Sequence, residues 1–167
     1  MPDRLLRPGL RHNLGGMKRI AISRPPLPAL PLEGGCHCGP VRYAVTARPM
    51  AVNACHFDDC KRLTGGPFAL CLHVAKGALE TLGEPRGRFI RTGGSGNAIP
   101  IERGALRGSL DESRWAIPAS HISTEYTAAD AAAAEDALVV ESFRTRRPAL
   151  RARFSEIYPA GTEGLPA

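Results

Sequence analysis

Glu33-Gly34-Gly35-Cys36-His37-Cys38-Gly39-Pro40-Val41-Arg42-Tyr43, with Ala54-Cys55-His56-Phe57-Asp58-Asp59-Cys60-Lys61-Arg62 soon after it, decides how this chain is read. Two cysteines one residue apart in a glycine-flanked turn can direct both thiolates to one side of the backbone. Thiolates are soft ligands that suit zinc in tetrahedral geometry. In the second run Cys55 and Cys60 bracket His56 and two carboxylates, and the cations of Lys61 and Arg62 are expected to favour thiolate over thiol. A lone C-x-C reads equally well as buried packing. Four cysteines between Cys36 and Cys60 read instead as metal ligands.

Around these runs the pattern is that of short strands. Val41 to Val45 alternates apolar with other residues, residues 67–75 and 87–92 lean toward β, and residues 104–110 and 120–124 suggest two more strands, with Gly and Pro supplying the turns. The expected fold is mainly β, a small antiparallel sheet. The Ala-rich stretch TAADAAAAEDALVV predicts a C-terminal helix over residues 128–140. Arg144, Arg146, Arg147, Arg151 and Arg153 then read as a solvated basic tail. The expected organisation is a basic Pro-rich disordered tail over 1–31, a β domain over 32–125, and a helix with basic tail over 126–167.

The 167 residues suffice for one domain, and 18 Gly with 15 Pro against 5% aromatics argue against a helical bundle. No apolar run has the length a membrane span needs. The net charge of +6 arises almost wholly from Arg4, Arg7, Arg11, Lys18, Arg19 and Arg24, so it is poor support for a nucleic-acid surface on the body. Prolines 25, 26, 28 and 31 interrupt the only candidate apolar core of an export signal, and the 5 cysteines are an odd number. Both point to a reducing, cytoplasmic setting, and nothing in the sequence sets an oligomeric state.

The strings GGCHCGPVRY and CHFDDCKRLTGGPF, followed by GSLDESRW and IPASHI, resemble the glutathione-dependent formaldehyde-activating enzyme family, to which centromere protein V is similar. The likeness runs from about Leu32 to about Thr124. It implies a β-tent fold with zinc sites and carbon–sulfur lyase chemistry, the reversible combination of formaldehyde with glutathione to give S-hydroxymethylglutathione. On it, Cys36 and Cys38 match the first structural-zinc pair, and Cys55 and Cys60 match the outer cysteines of the C-x-C-x-x-C catalytic-zinc motif. His121 stands where the family also has histidine.

The sequence departs from that pattern in two places. Phe57 replaces the middle cysteine, and the later C-x-x-C is missing between Thr92 and Gly104. His56, Asp58 or Asp59 replaces the lost ligand, or the four cysteines share one metal, or the metal is lost. The expected metal ligands are Cys36, Cys38, Cys55, Cys60 and His56, with Cys55 and Cys60 at the reacting site. Cys71 is expected to be packing and His73 a surface or hydrogen-bonded histidine. The expected function is a zinc-dependent lyase-like protein with impaired sites acting on a glutathione-type thiol and a small aldehyde. The alternative is a non-catalytic zinc-binding or interaction domain of the same fold.

Overall fold

The computed structural model describes residues 17–37, 39–82, 88–92, 98–102, 109–128, 131–140 and 147–161. Cys38 lies outside them, as do most of the expected strand over 104–110 and Arg144 and Arg146. The described fold is mainly β with a short C-terminal helix.

The central strand is β4 (Ala51–Cys55), whose five residues are all buried. It pairs antiparallel with β5 (Ala69–His73) on one side and parallel with β9 (Ser120–Ile122) on the other. β11 (Leu138–Val140) extends β9 in parallel, so this sheet is mixed and not wholly antiparallel. An antiparallel three-stranded sheet is built from β2 (Leu32–Gly35), β3 (Arg42–Val45) and β6 (Leu79–Thr81). Gly34 sits so close to the Ser109 carbonyl and the Tyr43 hydroxyl that a Cβ there would collide with both. β7 (Arg88–Thr92) and β8 (Ala98–Glu102) form a separate hairpin.

One apolar core joins the two main sheets. Leu32, Tyr43 and Val45 from the first cluster with Ala51 and Val52 from the second, and Leu27, Trp115, Phe154 and Tyr158 complete it. Trp115 is 1% exposed, fully inside the core and not at its edge. Its indole N–H donates to the Glu112 carbonyl at 3.0 Å, and the Tyr158 hydroxyl donates to the Trp115 carbonyl at 2.5 Å. Buried aromatic donors are thereby satisfied, as they must be.

The expected helix over 128–140 is not formed. Residues 132–134 are instead β10 (Ala132–Ala134), and β11 follows after a turn. β10 pairs in parallel with β1 (Lys18–Ile20), and Ala133, Ala134 and Ala137 are buried. Alanine's helical preference is at most about 1 kcal/mol per residue and is overridden where strand pairing and burial are offered together. The helix lies further on, as α2 (Arg147–Ile157), which buries Leu150 and Phe154. Part of the arginine run expected to be a solvated tail is therefore packed. Arg153 donates to the Asp136 carbonyl at 2.7 Å and pairs with Glu156 at 2.8 Å.

The expected tail over 1–31 is also built into the fold from residue 17 onward. Leu27 is fully buried, and Arg24 makes a two-nitrogen contact with Asp136 while donating to the carbonyls of Ile117 and Pro118 at 2.8 and 2.9 Å. Against the opposing effect of burial, the Asp136 contact holds the Arg24 guanidinium charged, and Arg24 in turn holds the Asp136 carboxyl below its ordinary range.

Candidate functional site

Cys55 is the last residue of β4, and Cys60 lies in α1 (Asp58–Thr64), which starts three residues later. The helix forms here because Asp58 and Asp59 occupy its first turn and Lys61 and Arg62 its last, the arrangement the helix dipole favours. It stops at Gly65, whose φ of 68° closes the last turn with an N–H donated to the Lys61 carbonyl. The short strand-to-helix connection packs the Cys55 and Cys60 side chains in one cluster.

Three neighbours act on the acidity of Cys55 as hydrogen-bonding groups: the Cys60 thiol, the Phe57 backbone N–H and the Ser123 hydroxyl. The Cys60 hydrogen bond is the largest influence, and against the opposing effect of burial the set lowers the Cys55 thiol to about 7. Cys60, which acts as that donor and is itself partly buried, is raised. The local cations contribute little to this. Lys61 pairs with Asp58 at 2.7 Å and donates to the Tyr126 carbonyl at 2.8 Å, while Arg62 pairs with Asp59 at 3.2 Å. Both expected carboxylate substitutes for the missing ligand are thus held in ion pairs within α1.

Cys71 stands on the same sheet face. Asn53 pairs with Cys71 and Cys55 with Ala69, and cross-strand partners share a face. Cys71 packs with Cys60, Phe57, Leu138 and Val140 against the buried trio Cys55, Ile122 and Leu150. Its thiol is pushed up to about 12, first by burial and then by the charge of Cys55. The expectation of a packing cysteine agrees with this. Phe57 meets Tyr126 edge-on at 5.2 Å, so the residue in the motif's middle position is engaged in an aromatic contact.

The histidines lie to the other side of the strand. Ala54 pairs with His121, one register position from Cys55 and Ile122, so His121 belongs to the opposite face. His56 Nε2 and His121 Nδ1 share a hydrogen bond of 3.0 Å, the rings stack at 5.3 Å, and Phe68 tilts against His56 at 5.4 Å. Their exposures are 0% and 3%. Burial, with no carboxylate to offset it, lowers both imidazoles to about 4, so both rings are neutral at neutral pH. His56 Nδ1 is buried without a partner.

Cys36 occupies a different place, in the turn between β2 and β3, where its N–H donates to the Val41 carbonyl at 2.8 Å. Among the described residues no group of three or more His, Cys, Asp or Glu is placed to hold a metal ion. Arg42 is paired with Asp111 at the surface, and His73 is hydrogen-bonded to Asn53 at 2.8 Å. Sequence reasoning missed Ser123, which adopts a left-handed φ of 56° one residue past β9. That conformation is uncommon for a residue with a side chain and marks a position held by its surroundings. The string IPASHI was the available signal, but only its pairing with β4 shows what Ser123 and His121 face.

Fold and site together define a small, mainly β domain organised about a close pair of thiols. Residues 31–102 match the family described as Glutathione-dependent formaldehyde-activating enzyme, and this match supports membership of that family. No curated protein matches the chain. The matched stretch holds Cys36, Cys38, Cys55, His56, Cys60 and Cys71, whereas His121, Ser123 and Leu150 lie beyond it. Among the described residues no helix is long and apolar enough to cross a membrane.

Proposed function

We propose that the domain catalyses the reversible joining of a glutathione-type thiol to a small aldehyde, a carbon–sulfur lyase reaction. Formation of S-hydroxymethylglutathione from formaldehyde and glutathione is the form that the family's description favours. The observation that carries this reading is the close packing of Cys55, at the end of β4, with Cys60 of α1, where Cys60, the Phe57 N–H and the Ser123 hydroxyl act on Cys55 as donors and lower its thiol to about 7. These donors stabilise negative charge on Cys55, which can then take the proton of an incoming thiol. The substrate sulfur adds to the aldehyde carbon, the carbonyl π pair moves to oxygen, and that oxygen receives the proton back from Cys55. Every atom of thiol and aldehyde is retained in the hemithioacetal, and the reverse path cleaves it.

Family resemblance implies zinc at this point. Cys55 and Cys60 supply two thiol donors, but the third motif position is the Phe57 ring, and no described histidine or carboxylate completes the set. The described donors do not fit a zinc centre. That mismatch, together with the 7% exposure of Cys55, favours the second reading, a domain that keeps the fold for interaction and has lost turnover.

The two readings separate by following 13C-formaldehyde with glutathione by NMR. Acceleration of exchange above the spontaneous rate by the wild type, lost in Cys55→Ser, supports the enzyme. An unaccelerated rate with a folded wild type overturns it and leaves the interaction domain.

A further inference from the structure

We propose that Cys55 and Cys60 form a reversible oxidation site, which a peroxide closes to a disulfide and a small thiol reopens. Both are free cysteines in the structure, as is Cys71. Cys55 ends β4, Cys60 is the third residue of α1, and the two pack in one cluster with Cys71, Ile122 and Leu150. Each acts on the other as a hydrogen-bonding neighbour.

The two elements that carry the pair differ in how firmly they are held. A disulfide needs Cβ atoms roughly 3.5–4.5 Å apart, so one partner must be able to settle onto the other. β4 is fixed, with all five residues buried. α1 is not: none of its seven residues is fully buried, and Phe57 at its N-cap makes no side-chain capping bond. A small displacement of this helix therefore disturbs little core packing. Cys71 is placed differently. It is the register partner of Asn53, two residues before Cys55. Diagonal neighbours of that kind stand roughly 7–8 Å apart, and strand pairing keeps them there, too far for a direct bond to Cys55.

The chemistry closes with one peroxide per pair. The thiolate of one cysteine attacks a peroxide oxygen, the O–O bond breaks, and the leaving hydroxide departs as water with the proton that thiol gave up. The sulfenic acid so formed is attacked by the second thiol. Its S–O bond breaks, the S–S bond forms, and a second water leaves with the second proton. Two thiols lose two electrons, and one peroxide gains them. Two small thiols reverse the change through a mixed disulfide and are themselves oxidised to a disulfide. Cys60 is only partly buried, which leaves small reagents a route to the pair. Closure withdraws both thiols from the site at once. On the proposed lyase reading it would stop turnover, but the oxidation itself requires only the pair.

The test treats the full chain, cleared of reductant and of metal by a chelator, with a small molar excess of hydrogen peroxide. Free thiols should fall by two from the five in the chain. Chymotryptic cleavage after Phe57 separates Cys55 from Cys60 unless a disulfide joins them, so a peptide map without reductant should show the two linked, and glutathione should release them. Cys60→Ser should hold Cys55 as a sulfenic acid that dimedone traps, while Cys71→Ser should close as the wild type does. Should a variant fold poorly, the wild-type map decides. Five thiols remaining after peroxide, a link to Cys71, Cys36 or Cys38 in place of this pair, or sulfinic acid without a link overturns the proposal. A closed pair in a protein that does not accelerate thiol–aldehyde exchange upholds the oxidation site and fails only the lyase reading, and turnover by a protein whose pair resists peroxide does the reverse.

Discussion

The end of β4 presents thiols on one face and imidazoles on the other, and the two environments are opposite in kind. On the thiol face three hydrogen-bonding neighbours act on Cys55 and favour charge. On the imidazole face His56 and His121 have each other and Phe68, and burial keeps both uncharged. The same pairing of β4 with β9 builds both, because side chains alternate and a shift of one residue would exchange the faces. The lesson is that burial alone does not decide charge here: it keeps the two histidines neutral, whereas at Cys55 the hydrogen-bonding neighbours outweigh it.

The largest effect should come from dismantling the thiol face. Cys55→Ser should lower thiol-dependent aldehyde turnover by about 100-fold or more, and Cys60→Ala should move the pH midpoint of Cys55 alkylation by iodoacetamide upward, since its strongest donor is gone. An unmoved midpoint would break the comparison at its root.

Next is the imidazole face. His56→Leu leaves His121 Nδ1 buried without its partner and should cost about 1–3 kcal/mol in chemical denaturation. The pair also sets a pH dependence. Both folded-state values, about 4, lie below the ordinary histidine value of 6.5, so the unfolded chain binds more protons between them. Stability should therefore be full above about pH 6.5 and fall as pH drops toward 4. Melting temperatures across that range, compared with the His56→Leu/His121→Leu variant, should show a flatter profile in the variant.

A smaller change tests the position between the faces. Phe57→Cys removes the contact with Tyr126, at a cost of about 1 kcal/mol, and restores a third thiol beside Cys55 and Cys60. Raised zinc content by elemental analysis, or raised turnover, is the expected result, and neither rising would favour an abandoned site. Smallest of all, Arg62→Gln breaks a surface pair with Asp59 and should alter stability by no more than about 0.5 kcal/mol while leaving the Cys55 midpoint in place.

Local chemistry explains how much of this was legible in the sequence. Cys55 and Cys60 are close in the chain, and a strand that ends at one and a helix that begins before the other suffice to join them. The β class followed from alternation and turn residues for the same reason. His56 and His121 are 65 residues apart, and their contact exists only because β4 and β9 run parallel, a pairing that no local pattern encodes. The Ala-rich stretch was misread because its preference is intrinsic while its fate was decided by β1, more than a hundred residues earlier. The basic N-terminal stretch was misread because Arg24 looks like any tail arginine until Asp136 is opposite it.

The Arg24 contact bears on where this molecule can be cut. A chain trimmed to residues 31–102 would lose β9 and open one side of β4, turning an interior strand with five buried residues into an edge. Unprotected apolar edges recruit other chains. The matched segment is thus a fragment whose solubility depends on the sequence at both of its flanks, with Arg24 the clasp that fastens one flank to the other.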